Sequence, residues 1–441
     1  MAEYSGWLLD LYAGPEEGVV MWLLGDDGVR SRFVQDFSVT FYAAGPAASL
    51  RSLWRWLRQQ PTPVELSRTA RRDLFQPEPV TLLAIRAASP AAQVELFQQT
   101  NRRFPYLTYY DADLAITLRH AARYNTFPLA RCRIQATGER VQFIEVQDDP
   151  WQLDPVLPPV RILSIAPDCD PRSGEPGALC LQYQGPRRPG LTRQTFCLPL
   201  SPARSTLITL ASILRQYDPD ILLTTWGDGW LFPHLLELSE QHHIELPLNR
   251  DRQHDILRRD PRSYFSYGQV IYRDQQFHLF GRHHIDTQNA MLFHDYGLDG
   301  IYELSRVTAQ PLQAVARLSP GSGISAMQMT TALRHHVLVP WRKQQAEELK
   351  SAMELLRADQ GGMVYQPLVG LHANVAELDF ISMYPSIMVR CNVSPETVPV
   401  HIQAAASSGD IPALPALPPQ PPVLDVVLLE NRPAGPPPPP V

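Results

Sequence analysis

The stretch of this 441-residue chain best equipped for chemistry is Glu377-Leu-Asp-Phe-Ile-Ser-Met-Tyr-Pro-Ser-Ile-Met-Val-Arg-Cys-Asn-Val-Ser-Pro-Glu-Thr397. Its carboxylate, Asp379, lies in a short apolar run with Val375, Leu378 and Phe380 that reads as a strand. Ser382 followed by Pro385 reads as an N-cap with a proline in the first turn, so the spacing predicts a helix over Ser386–Arg390. A strand-to-helix junction collects free backbone N–H groups and the positive end of the helix dipole, which suits an anion. A carboxylate at the strand end suits a hard cation bound to that anion, and a metal-bound triphosphate satisfies both.

The elements around this junction belong to a chain long enough for two or three domains. The net charge of -6 places any nucleic-acid contact on local basic surface and excludes a general positive field. Lys343 and Lys350 are the only lysines, so basic character is almost entirely arginine. Cys132, Cys169, Cys180, Cys197 and Cys391 are scattered and never spaced as C-x-x-C, which indicates neither a disulfide framework nor a zinc site and implies a reducing compartment. No basic leader precedes the first apolar run and no run reaches membrane-spanning length; the expectation is a cytoplasmic, nucleoid-associated protein with no membrane partner.

Along the chain, Trp7 to about Tyr42 alternates around Gly25-Asp-Asp-Gly28 and predicts a small β-meander. Leu50, Leu53, Trp54 and Leu57 recur at helical spacing with Arg51, Arg55 and Arg58 on a solvated face. A strand over Val80–Arg86 and a helix over Ala91–Arg103 follow, and Asp111 and Asp113 read as helix-start acids. Pro150, Pro155, Pro158 and Pro159 mark a boundary near residue 150. Beyond it the pattern is strand, strand, helix, strand: Arg161–Ile165, Ala178–Tyr183, Leu207–Tyr217 and Asp218–Thr224. Trp341–Ala358 reads as a helical connector.

The segment around Asp379 resembles motif A of the B-family DNA polymerases, D-F-x-S-L-Y-P-S-I-I followed by N-x-x-P-x-T, with Met383 and Met388 the mild departures. Gly361-Gly-Met-Val-Tyr-Gln-Pro-Leu-Val-Gly370 resembles that family's approach to the motif. The resemblance implies a multidomain α/β and α+β chain: an N-terminal α+β domain over 1–150, an RNase H-like 3′–5′ exonuclease-type domain over 151–340, the beginning of a palm over 341–403, and a Pro-rich tail over 404–441. It implies Asp379 as the catalytic, Mg²⁺-binding carboxylate, backbone from Phe380 through Ile381, Ser382 and Met383 to Tyr384 as the nucleotide cradle, and Tyr384 as the steric gate against a 2′-hydroxyl. DNA primer–template and dNTP are the implied partners.

Two-metal nuclease chemistry needs several acids converging on ions about 3.5–4 Å apart. The family's D-x-E motif falls on Ala166-Pro-Asp168, so its leading aspartate is absent and Asp168 stands for the glutamate. Its N-x-x-x-F-D motif falls on Trp226-Gly-Asp-Gly-Trp-Leu231, so that aspartate is a leucine, and Asp228 between two glycines reads as part of a surface turn. The third motif, placed before the Ser305–Leu312 stretch, finds Tyr296 and Asp299 one residue short of its spacing; placed after it, the motif finds no acid, since none occurs from Leu304 to Ala346. The expectation is an exonuclease fold without its chemistry. Asp286, after Gly281-Arg-His-His-Ile, reads as a strand-end acid of the old cleft or a turn acid, and His283-His284 and His335-His336 lack a third zinc ligand. Arg250, Arg252, Arg258, Arg259, Arg262 and Arg273 interleave with Tyr264, Phe265, Tyr267 and Tyr272, a mixture that either holds phosphates and stacks bases or forms a hairpin with its arginines in water.

Neither the D-T-D hairpin nor the K-x-x-x-N-S-x-Y-G helix implied by the resemblance follows Asp379. The sequence therefore predicts an N-terminal piece of a DNA-directed DNA polymerase that is inactive alone and needs a missing C-terminal part: either the N-terminal half of a split enzyme completed by a second polypeptide carrying the rest of the palm, fingers and thumb, or a truncated gene product. The alternatives are a non-catalytic DNA-binding or scaffolding protein derived from a polymerase, and a nuclease with relocated ligands. The twelve prolines from Pro412 to Pro440 read as a disordered tail or a polyproline ligand.

Overall fold

The computed structural model describes residues 1–14, 18–74, 78–186, 191–266, 269–343, 351–358, 366, 368–376, 380 and 382–393. Asp379, Ile381, Tyr267 and the Pro-rich tail lie outside the described residues. The chain forms two compact units, Met1–Glu347 and Glu348–Val441.

The N-terminal alternation produces antiparallel strands β1 (Ala2–Ala13), β2 (Val19–Gly25) and β3 (Arg30–Gln35). Their turn at Gly25–Gly28 is closed by the Gly25 N–H to Val29 O bond of 2.8 Å, with Gly28 at φ +81° where a side chain would be strained. The meander does not continue. β4 (Val39–Ala44) leaves it for a second sheet, which it shares with β5 (Val64–Arg71), β6 (Val80–Ala87) and β7 (Thr108–Tyr110) in the order β5-β6-β4-β7. Helices α1 (Ala47–Leu57) and α2 (Pro90–Arg103) bury Leu53, Leu57, Leu96 and Phe97 against Phe41 and Ile85 of that sheet. After α3 (Ile116–Tyr124), β8 (Arg131–Thr137) and β9 (Arg140–Val146) close the first three strands into a barrel of order β1-β2-β3-β9-β8. Closure removes the sheet edges and packs Leu8, Met21, Leu23, Phe33 and Ile134 inside.

The next segment builds β10 (Ile162–Pro167), β11 (Ala178–Pro186), β12 (Leu191–Pro199), α4 (Ala203–Tyr217), β13 (Ile221–Thr224), a wide turn over Gly227–Leu231 and α5 (Phe232–His242). Then come the short strands β14 (Leu257–Arg259), β15 (Arg262–Ser266), β16 (Gln269–Arg273) and β17 (Gln276–His278), followed by β18 (His283–Asp286). The main sheet has the order β12-β11-β10-β13-β18, antiparallel between β10, β11 and β12 and parallel from β10 through β13 to β18. Alternation places Leu163, Ile165, Leu179 and Leu181 in one core with Leu207, Leu210 and Leu214 of α4 and with Leu231, Phe232 and Leu235.

The boundary expected near residue 150 does not separate independently packed bodies. Leu9, Tyr12, Trp22 and Leu24 of the barrel share a buried core with Ile221, Ile285 and Ile301. Helices α6 (Met291–Thr308), α7 (Leu312–Val315) and α8 (Pro320–Arg334) then return the chain to the barrel, where Ala326 joins the barrel core. Asp111 is not a helix-start residue. It is buried at φ +53°, and its N–H and carboxylate bond Val339 O at 2.8 Å and Val339 N–H at 2.9 Å, while α3 begins after Ala115. Asp113 pairs with Lys343 at 2.6 Å.

In the second unit, α9 (Ala352–Ala358) covers the end of the expected connector, whose residues 344–350 lie outside the described residues. The helix after Asp379, α10 (Met383–Cys391), starts directly after Ser382, the expected N-cap, and contains the predicted span Ser386–Arg390. Ser382 precedes it in the left-handed region at φ +47° without a side-chain capping bond, and its carbonyl accepts the Ser386 N–H at 2.9 Å. Val375 and Phe380 lie in irregular backbone and are exposed, so the expected strand is not formed at these described positions.

Candidate functional site

The sequence places its functional residues at two centres, and the structure describes one of them closely. At the C-terminal end of β13 the chain turns at Trp226, φ +60°, into the wide turn that carries Asp228. Gly227 is required by close approach, because a Cβ there would lie 1.8 Å from Thr224 Oγ1 and 2.6 Å from His284 Nε2. The turn drives Leu231 fully into the core and brings Asp228 inward with it.

Asp228 is therefore not a surface residue; it is completely buried. Its Oδ2 accepts Arg317 Nε at 3.0 Å, Arg317 Nη2 at 2.8 Å and Asn289 Nδ2 at 2.9 Å, and its Oδ1 accepts the Phe277 N–H at 2.9 Å. A carboxylate offers about two lone-pair sites on each oxygen, so the three donors on Oδ2 crowd that oxygen completely while Oδ1 takes one. Arg317 is held in turn by the carbonyls of His284 at 2.9 Å and Gln313 at 2.8 Å. The ring of His284 lies 3.5 Å from Asp228, but burial pushes its pKa down to about 4, so the imidazole is neutral near pH 7 and Arg317 alone neutralises the aspartate. His284 donates from Nδ1 to Phe277 O at 2.8 Å, shares a 2.8 Å contact with Thr224 Oγ1 and stacks on Phe232.

Asp286 fits both readings open for it: it ends β18, and its carboxylate caps the turn that follows. It is buried, accepting the Asp228 N–H at 2.8 Å and the Gln288 N–H at 3.1 Å. Burial raises its pKa to about 6 against these backbone donors, and the neighbouring Asp228 charge adds to the rise.

The other positions expected to belong to an exonuclease-type motif lie on other elements. Ala166, half-buried near the end of β10, has no carboxylate, and Asp168 is exposed beyond that strand, accepting the Gly177 N–H at 3.1 Å. Tyr296 and Asp299 are exposed on α6. Among the described residues no group of three or more His, Cys, Asp and Glu is placed to hold a metal ion. Asp228 does not fit one either, since a guanidinium already sits where a cation would. Arg317 is the residue that sequence reasoning missed.

The arginine-rich segment also divides. Arg250 is half-buried, with only its side chain nearly covered, and bonds Asp218 at 3.0 Å and Asp220 at 2.9 Å, while Arg30 bonds Asp220 at 2.6 Å from the barrel side. These are structural pairs. Arg259, Arg262 and Arg273 line a pocket of about 310 Å³ together with Asp260, Asp274 and His278. Tyr272 is exposed on the same hairpin as Arg262 and Arg273.

At the other centre, Phe380, Ser382, Met383 and Tyr384 are described at the start of α10, all exposed. Asp379 and Ile381 lie between and before them, outside the described residues. Residues 321–413, which include this centre, match the family model described as DNA polymerase family B. DNA polymerase 1 of Pyrococcus abyssi is 27% identical over 244 residues, covering 45% of this chain and 31% of the relative. This chain is related to the family B DNA polymerases. DNA polymerase 2 of Saccharolobus solfataricus is 30% identical over 99 residues, covering 22% of this chain and 16% of that polymerase. The family B DNA polymerase of Pyrobaculum calidifontis superposes with a TM-score of 0.62 at 20% identity, over 89% of this chain and 57% of that one, which shows a shared fold. The chain thus spans about a third of the length of the first of these curated relatives.

Proposed function

We propose that this chain is the N-terminal portion of a DNA-directed DNA polymerase working on primer–template DNA and deoxynucleoside triphosphates, and that it does not polymerise alone. The observation carrying this reading is the ungapped run from Asp379 to Thr397 inside the region matched to the family B model. Asp379 is its metal carboxylate and Tyr384 its steric gate. Magnesium would supply charge neutralisation for the triphosphate, but one carboxylate without a D-T-D partner in this sequence is half of a two-ion site, so no step is assigned to the ion. The D-T-D hairpin that would complete such a site comes, in this reading, from residues other than these 441.

The five-stranded sheet is, in this reading, an RNase H-like exonuclease-type domain without hydrolytic activity. Its mixed order, with β10 antiparallel to β11 and parallel to β13, supports the assignment. The missing carboxylate at Ala166, the buried Leu231 and the Arg317 guanidinium on Asp228 support the loss of chemistry.

Primer extension tests the reading. The chain combined with a polypeptide supplying the remaining palm, fingers and thumb should extend a primer, and Asp379→Ala should abolish extension. Salt-sensitive primer–template binding with no extension by the combination would instead favour a non-catalytic DNA-binding or scaffolding role, for which the depleted exonuclease positions also speak. Metal-dependent degradation of a single-stranded 3′ end by the chain alone would contradict the inactive exonuclease.

A further inference from the structure

All five cysteines are free, and four are exposed. Two of those four are not independent of one another. β11 and β12 are antiparallel neighbours, and their register sets Cys180 directly opposite Cys197. Opposed residues in such a ladder project from the same face with Cβ atoms about 4.5–5.5 Å apart. A disulfide needs Cα atoms about 4.4–6.8 Å apart and Cβ atoms about 3.5–4.5 Å apart, so a small relaxation of the two strands brings the sulfurs into bonding range.

The environment favours reaction. Leu179, Leu181 and Leu198, the neighbours of the two cysteines along their strands, point into the core, which leaves both thiols on the opposite, solvent-facing side. β12 is the outer strand of its sheet, free to adjust without disturbing a further strand in that sheet. Cys132 presents the opposite case: it is buried in the barrel core, and burial raises its thiol pKa far above the ordinary value, so it is inert. The register partner of Cys180 on β10 is Ala166, so one row across the sheet reads Ala166, Cys180, Cys197. The pair therefore adjoins the position where the exonuclease-type motif lacks its first aspartate.

We infer that Cys180 and Cys197 form a reversible dithiol–disulfide site that peroxides oxidise and small thiols reduce. One thiolate attacks a peroxide oxygen, breaking the O–O bond, and becomes a sulfenic acid as the first water leaves. The second thiolate attacks that sulfur, the S–S bond forms, and the hydroxyl departs as the second water. Two thiols and one hydrogen peroxide thus give one disulfide and two waters; the sulfurs are oxidised and the peroxide is reduced. Reduction runs through a mixed disulfide with the small thiol.

The test uses the full chain, reduced and then exposed to a slight excess of hydrogen peroxide. Thiol titration after denaturation should fall from five to three, and peptide mapping should find a single intramolecular Cys180–Cys197 bridge, reopened by dithiothreitol. Cys180→Ser and Cys197→Ser should each prevent the bridge, whereas Cys169→Ser and Cys391→Ser should leave it unchanged. Dibromobimane should cross-link the reduced wild type and neither of the first two variants, an independent measure of sulfur proximity that does not depend on oxidation rate. Absence of that cross-link, bridging between molecules, or oxidation of Cys169 or Cys391 at a rate equal to that of the pair would overturn the inference.

Discussion

The inner half of the five-stranded sheet, whose β13 and β18 pack Ile221 and Ile285 against the barrel, and the outer half from β10 to β12 handle charge in opposite ways. The inner half, at the ends of β13 and β18, keeps two carboxylates, Asp228 and Asp286, and buries both. The outer half, from β10 to β12, has Ala166 where the proposed exonuclease-type motif would carry an acid, an exposed Asp168 and the exposed thiols of Cys180 and Cys197. Retaining an acid is thus not the same as retaining a reactive one. Asp228 is held by Arg317, Asn289 and a backbone N–H, whereas Asp168 is accessible but stands without a partner acid at Ala166. A two-metal centre needs both properties in one place.

Removing the inner half's cation should give the largest effect. Arg317→Ala leaves Asp228 buried and unpaired, a loss of about 3–5 kcal/mol in urea unfolding, and the double variant Asp228→Leu with Arg317→Met should recover most of it. An Arg317→Ala protein as stable as wild type would show that the inner carboxylate is not held by this pair. Oxidation should strengthen the outer half: closing the β11–β12 loop through Cys180 and Cys197 should raise stability by about 3 kcal/mol, read as a higher urea midpoint that dithiothreitol reverses.

Acidity distinguishes the halves next. Asp286 has a folded pKa raised to about 6, so the native state binds a proton that the unfolded state releases near its ordinary value. Its contribution is fully present below about pH 4, falls as pH rises towards 6 and is level above that, a loss of order 2–3 kcal/mol. Asp111, also raised to about 6 by burial, adds to the decline in the same window. Comparing unfolding of wild type and Asp286→Asn between pH 4 and 7 isolates the first acid: the variant should show the shallower decline. The smallest effect belongs to Asp168→Ala, which removes an exposed carboxylate and should change stability by about 0.5 kcal/mol or less, with no change in nuclease background.

Local elements were legible because their signals are local. Leu53 and Leu57 at helical spacing, the Gly25–Gly28 turn and the alternation around Leu163 and Ile165 each act within a few residues, and the corresponding helix, turn and strand form as expected. The errors have a common cause. Glycines on either side of Asp228 resemble a surface turn, but the residue that buries it, Arg317, lies 89 positions later. Asp111 resembles a helix start, but its partner is Val339, 228 positions away. A periodicity window contains neither partner. β5 and β12 were also missed; β5 is strongly polar, with charged and hydroxyl residues among its apolar ones, and it forms by pairing with β6.

What the sequence determined by itself is the family relationship, carried by Asp379 to Thr397, and the absence of acids at Ala166 and Leu231, since neither depends on where the chain goes in space. What only the tertiary structure decided is the state of the side chains that remain. Burial and pairing depend on groups brought from distant stretches of the chain, and these turned Asp228 into an inert carboxylate, raised the pKa of Asp286 and set two scattered cysteines opposite each other.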